Sequence, residues 1–293
     1  LGYFLTGLVQ RRQGRWAESL ANLKRASELD PGSPEHARNL MISYAGMRRY
    51  ADAVREQERR VRLMPESLRE SFEVARLKFF LDGSTAEGDA LLAGPIANRA
   101  DPAVAAGYRK LWASMKGDLA TVIQLNRSYP EAWAPGIASG GGSPSEYALQ
   151  NAIVLAAMGD RDGARRLLEK HPAELRARLV NEPENVLPMM ILAQIEALLG
   201  NAPEALAVAR RSCEILPLAR DPLSGRGPRL AYAFVLAWTG DKAGACAELR
   251  RLFATNGQLS ARLIKTSPLF APLKGDPEFE AIVNDPKNLA PLF

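Results

Sequence analysis

Histidine and cysteine are nearly missing, with two of each in 293 residues. His36 and His171 lie far apart, and neither Cys213 nor Cys246 sits in a Cys-x-x-Cys pair, so the sequence shows no clustered metal ligands. Each cysteine reads as a small buried apolar residue. A disulfide between them requires their helices to pack at those points, which spacing alone leaves open. Long apolar runs are missing too. None approaches the ~18 uninterrupted residues of a membrane span, and no basic-then-apolar leader opens the chain. It starts at Leu1, without Met and inside a helix-like pattern, as a piece of a longer protein would. The signatures of catalysis are also lacking: no nucleophile elbow, no His-Glu-x-x-His, no phosphate-binding loop, no kinase loop. Carboxylate pairs such as Glu56/Glu58 and Glu182/Glu184 fall on helix surfaces or in a linker, where solubility explains them. No enzymatic activity, cofactor, metal or small-molecule substrate is expected.

What is present is a soluble composition, 47% hydrophobic and 24% charged, with a net charge of +5. That charge is unevenly placed. Residues 1–78 hold 15 Lys/Arg against 10 Asp/Glu, and the remainder holds 23 of each sign. No basic run is interleaved with aromatics, so nucleic acid is not the expected partner. A basic N-terminal face that attracts an acidic protein or peptide is.

The most telling pattern is a repeat. Pro31 and Pro65 stand 34 residues apart and end two degenerate copies of one segment. The first copy carries Gly14-Arg15-Trp16-Ala17, Leu23, Ala26 and Leu29-Asp30-Pro31; the second carries Leu40, Tyr44, Tyr50-Ala51, Ala53 and Leu63-Met64-Pro65. Apolar residues recur at helical spacing on both sides of the turn, which predicts two helices per copy. A third copy keeps its first helix (Val74, Ala75, Leu77, Phe80), has one extra residue at Asp82-Gly83-Ser84, and has a second helix from Ala86 to Leu92 blunted by Gly94-Pro95. A fourth, Ala103 to Met115 and Leu119 to Leu125, rests on amphipathic pattern alone. The stretch Ala134 to Pro144, rich in Gly, Ser and Pro, predicts a loop or hinge. Beyond it, Gly159, Gly200 and Gly240 are each followed five residues later by alanine, at Ala164, Ala205 and Ala245. A small residue there lets two helices approach closely. The glycine spacings are 41 and 40, so longer connections are expected.

These repeats resemble the tetratricopeptide repeat, a 34-residue helix–turn–helix unit. The resemblance implies an all-α, right-handed α-solenoid of seven antiparallel pairs, about fourteen helices. Its expected parts are an N-terminal block (1–133), the loop or hinge (134–144), a C-terminal block (145–257) and a capping segment (258–293). The segment Pro268-Leu269-Phe270-Ala271-Pro272-Leu273-Lys274-Gly275-Asp276-Pro277-Glu278-Phe279 is similar to one that closes repeat arrays in bacterial signalling proteins. In that family such arrays follow a serine/threonine kinase, nucleotide cyclase or winged-helix domain. Ser267-Pro268 and Asp276-Pro277 also read directly as helix starts, with Phe279, Ile282 and Val283 as the buried stripe.

The implied role is a non-catalytic scaffold that binds a partner protein or acidic peptide in a concave groove. In the family, the first helix of each pair lines that groove. Carried over residue by residue, the lining is Glu35, Arg38 and Ile42 in the second repeat and Arg69, Phe72, Arg76 and Phe79 in the third. Arg38 and Arg76 are expected to point into solvent. The family's carboxylate-clamp positions are not reproduced by Asn39 alone. The alternative is a spacer or dimerisation module of the parent protein, and the oligomeric state is left open.

Overall fold

The computed structural model describes residues 2–130, 132, 142–257 and 259–292. Among them the chain is all-α, with no strand. Four helix pairs open it: α1 (Gly2–Arg12) with α2 (Trp16–Leu29), α3 (Pro34–Gly46) with α4 (Tyr50–Leu63), α5 (Leu68–Asp82) with α6 (Ala86–Ala93) and the short α7 (Pro95–Arg99), and α8 (Pro102–Lys116) with α9 (Leu119–Ser128). Then come α10 (Pro144–Ala157), α11 (Arg161–Leu168), α12 (His171–Asn181), α13 (Val186–Leu199), α14 (Ala202–Ile215), α15 (Arg226–Trp238) and α16 (Lys242–Phe253). The closing segment holds α17 (Ala261–Thr266), a 3₁₀ turn Pro268–Leu273, α18 (Pro277–Asn284) and a 3₁₀ turn Pro286–Asn288.

One local device starts six of these elements. Ser33, Asp101, Ser143, Ser267, Asp276 and Asp285 each precede a proline, and each side chain accepts a backbone N–H from the first turn. The proline suits the first helical position because its missing N–H would have no partner there anyway. The closing helix follows the sequence reading closely. Asp276 accepts from Glu278 and Phe279 N–H, and Phe279, Ile282 and Val283 are buried beside Phe270 and Leu273.

The pairs approach closely where a small residue follows the turn by five positions. Ala164, Ala205 and Ala245 are buried as expected, and the same position in the first half holds Ser19, Ala53, Gly88 and Val122, all buried. Gly88 shows why size matters there: a Cβ would lie 2.3 Å from the Trp112 ring. That indole also donates to Asp89 Oδ1 at 2.8 Å. Cys213 and Cys246 are free, buried thiols, and burial pushes Cys246 up to about 11.

Before the closing segment, two helices exceed the fourteen of the seven expected pairs. Pro95 does not merely end α6; it begins α7. The helix α12 occupies part of the 41-residue spacing. It buries His171 and Leu175, and Arg176 forks onto Glu204 (2.9 and 2.8 Å) and the fully buried Glu196 (2.5 Å). The Gly200–Gly240 spacing is lengthened by a connection, 216–225, that carries no helix. The expected loop or hinge falls, through residue 141, outside the described residues; Ser143 and Glu146 form a reciprocal capping box at the start of α10.

The second half of the chain folds back onto the first. A helix leaves its last carbonyls without internal partners, and here the later segments supply several. Gly46 O accepts from Gly257 N at 2.6 Å, and Met47 O, just past α3, from Leu292 N at 3.1 Å. Leu81 O near the end of α5 accepts from Arg262 at 3.4 Å, and Met115 O near the end of α8 from Thr266 Oγ1 at 2.6 Å. At the end of α1, Arg12 pairs with Asp221 at 3.0 Å. The residue that anchors this closure is Arg48. It occupies the turn position that is glycine at 14, 83 and 117, and it takes a left-handed φ of +56°. Its guanidinium is buried, donating to Phe253 O at 2.5 Å and Lys287 O at 3.2 Å. Tyr50 OH donates to Leu259 O at 3.3 Å beside it.

Candidate partner-binding groove

Buried polar side chains tie α1 to α3 and α4 to α5. Arg11 of α1 is buried and reaches α3, donating to Asn39 O (3.1 Å), Asn39 Oδ1 (2.9 Å) and Ser43 Oγ (3.2 Å). Burial, reinforced by Arg12 and Arg38, lowers it to about 10. Asn39 donates in turn to Glu35 Oε1 at 2.8 Å, so this asparagine is spent on internal bonding. On α5, the buried Glu70 accepts from Gln57 at 2.8 Å and pairs with Arg60 at 3.3 Å. Burial lowers Arg60, against the pull of Glu70.

Of the groove positions taken from the repeat pattern, two arginines face solvent. Arg38 lies 3.3 Å from Glu35, and Arg69 lies 3.9 Å from Glu70; their side chains are 37% and 40% exposed. Ile42 is half-buried and packs on the core. The other three positions are corrected by the structure. Phe72 is fully buried, its ring 5.0 Å from Tyr108 and 5.7 Å from Trp112. Phe79 is buried 6.0 Å from Trp112. Arg76 does not point into solvent. It pairs with Glu73 at 2.8 Å and lies 4.9 Å over the Phe80 ring. Burial works against its charge, and Glu73 outweighs that, holding Arg76 above its ordinary value.

Two packings are the physical reason: the next pair covers the Phe72–Phe79 stripe, and the chain folds back beside it. Residues 72 and 79 are seven apart, so they share one stripe of α5, and that stripe meets α8 while α17 also packs on α5 and α8. Large aromatic side chains dominate such contacts because each removes ~150–250 Å² from water. Of the four assigned positions on α5, only Arg69, at its N-terminal end, presents a side chain to water. Sequence reasoning missed this closure and the role of Arg48. The one available signal was a non-glycine residue 34 positions after Gly14, at a turn where the pattern calls for glycine.

Residues 146–170 and 187–211 match the tetratricopeptide repeat family. The matched stretches fall on α10 with α11 and on α13 with α14. The chain is an all-α helical-repeat protein with tetratricopeptide-like pairs. Repeats of this family generally mediate protein–protein interaction and are typically non-catalytic scaffolds. No curated protein matches the chain. Among solved structures it is similar to the C-terminal part of a TPR repeat-containing protein from Cytophaga hutchinsonii, at 12% identity and a TM-score of 0.38, over 90% of this chain and 98% of that one. Among the described residues, no helix is long and apolar enough to cross a membrane, and no cluster of His, Cys, Asp and Glu is arranged to hold a metal.

Proposed function

We propose that this chain is a non-catalytic docking scaffold, the sensory or docking part of a larger bacterial signalling protein, and that it takes an acidic segment of a partner protein. The observation that carries this is the pair Arg38 and Arg69. They stand on first helices of consecutive repeats, with side chains 37% and 40% exposed, within residues 1–78, which hold a net +5 while the remainder is neutral. Guanidinium forks suit carboxylates, and Ile42 supplies apolar contact between the two helices.

The test uses a fluorescein-labelled peptide of alternating Glu and Leu, followed by anisotropy at low ionic strength. Wild type is expected to bind it, more weakly as salt is added. Arg38→Glu/Arg69→Glu is expected to bind at least tenfold more weakly with an unchanged circular dichroism spectrum. A peptide that binds both proteins alike, or neither, overturns the reading.

A second reading, a spacer or dimerisation module, is favoured by α1. Its Leu5 and Val9 are 51% and 54% exposed, one turn apart on one face. A dimer by light scattering that Leu5→Glu dissolves would support it, and a monomer would remove it.

A further inference from the structure

Where α8, α9 and α10 meet α15, α17 and the turn at Pro268, the chain surrounds a cavity of about 310 Å³. Its wall is largely apolar, with Leu111, Val154 and Leu263 from three different helices. Two cations interrupt it. Lys110 is nine-tenths buried, and its ammonium donates to the Tyr129 carbonyl at 3.0 Å. Burial lowers it to about 8. Arg226 lies flat against Gly257, so close that a Cβ there would fall 2.4 Å from Nε. Among the described residues, that Nε is buried without a hydrogen-bond partner, and so is the Oδ1 of Asn126, which also lines the cavity. Burial lowers Arg226 to about 10, opposed only by the Tyr50 phenol.

Among the described residues, neither cation is paired with a carboxylate. A buried charge without a counter-charge is costly; Lys110 is buried, Arg226 is half-buried with its Nε enclosed, and both line one apolar cavity large enough for a small ligand. The repeat architecture does not require either. Arg38 and Arg76, by contrast, each stand beside a glutamate.

We propose that this cavity binds a small amphipathic anion, an apolar chain or ring bearing one carboxylate-like head, with the head at Lys110 and Arg226 and the body against Leu111, Val154 and Leu263. The wall is drawn from both halves of the chain, so an occupant stabilises the folded-back arrangement. The inference is independent of the peptide groove.

The probe is decanoate, with decanol and decyltrimethylammonium as neutral and cationic counterparts, read by calorimetric titration and thermal unfolding on the full chain. Decanoate is expected to bind and to raise the unfolding temperature with concentration; decanol should bind at least tenfold more weakly, and the cation not at all. Lys110→Met keeps the bulk of the side chain and removes the charge, and should weaken decanoate at least tenfold. Val154→Trp fills the cavity and should abolish binding of decanoate and decanol together. Decanol binding as tightly as decanoate, decanoate binding unchanged in Lys110→Met, or no binding by folded wild type would each overturn the proposal. Should Lys110→Met not fold, the decanoate and decanol affinities of wild type decide it.

Discussion

The two halves of this chain solve one problem differently. From α10 to α16, each pair turns at a glycine in the left-handed region, packs on a buried alanine five residues later, and covers the next pair. The two stretches matching the repeat family lie there. From α1 to α9 the turn, spacing and small residue recur, but the core is aromatic, with Trp16, Tyr50, Phe72, Phe80, Tyr108 and Trp112 in one cluster. In this half the helix ends rely on groups contributed from positions 221 to 292. The lesson is that a repeat motif specifies a helix pair and its neighbour, while the surface the pairs offer depends on what the rest of the chain lays across them.

The sharpest way to break this contrast is to charge the enclosed part of the first half. Arg76→Glu places two carboxylates together inside the fold and leaves Glu73 without its partner. We expect a loss of ~3–5 kcal/mol, the scale for breaking a buried pair, seen as a lower midpoint in urea. Arg211→Glu, in a pair with Glu214 that is exposed on both sides in the second half, should cost clearly less. Equal losses would mean that the enclosure of Arg76 has no energetic consequence.

A smaller effect separates the two kinds of turn. Gly200→Ala meets no neighbouring atom, so only its φ of +89° resists the change, at ~1 kcal/mol. Arg48→Gly should do the opposite of what φ alone dictates. Glycine relieves the left-handed strain, yet the variant loses the bonds to Phe253 O and Lys287 O. Faster amide hydrogen exchange at 257–266 and 286–292, with α13 and α14 unaffected, is the expected signature. Unchanged exchange there would show that Arg48 does not hold the closure.

A further effect is on pH dependence. The folded-state value of Lys110, about 8, lies below its ordinary 10.5. The fold therefore disfavours its charged form, and stability rises as pH climbs through that window, where the unfolded chain binds the extra proton. Lys274 is lowered by burial too and adds the same sign. Tyr50, raised by burial to about 12, acts oppositely above its ordinary value of 10.0. Between about pH 7 and about pH 9.5 the unfolding temperature of Lys110→Met should therefore rise less than that of wild type.

Much of the fold was legible because it is encoded locally. A Ser-Pro or Asp-Pro step caps and starts a helix through atoms within three residues, and a 3.6-residue period marks the buried face without knowledge of what covers it. This is why the closing helix with Phe279, Ile282 and Val283 was readable in advance. The helix α12 was not, since its buried stripe is thin: Leu175 is enclosed while Val180 is 80% exposed, and its anchorage runs through Arg176 to two other helices.

The sequence by itself determined the repeating pair, its capped ends, the small residue behind each turn and the uneven charge, because each depends on neighbours a few positions away. Only the tertiary structure decided which first-helix side chains face water. Arg38 and Arg69 stay outside while Phe72, Arg76 and Phe79 are enclosed, although all five share the repeat positions assigned to a groove. The next pair covers Phe72 and Phe79, and the closure beside them runs through partners such as Arg48 and Phe253, 205 residues apart, or Tyr50 and Leu259, 209 apart. Contacts across such distances leave no periodic trace in a chain, because either partner alone satisfies no local rule.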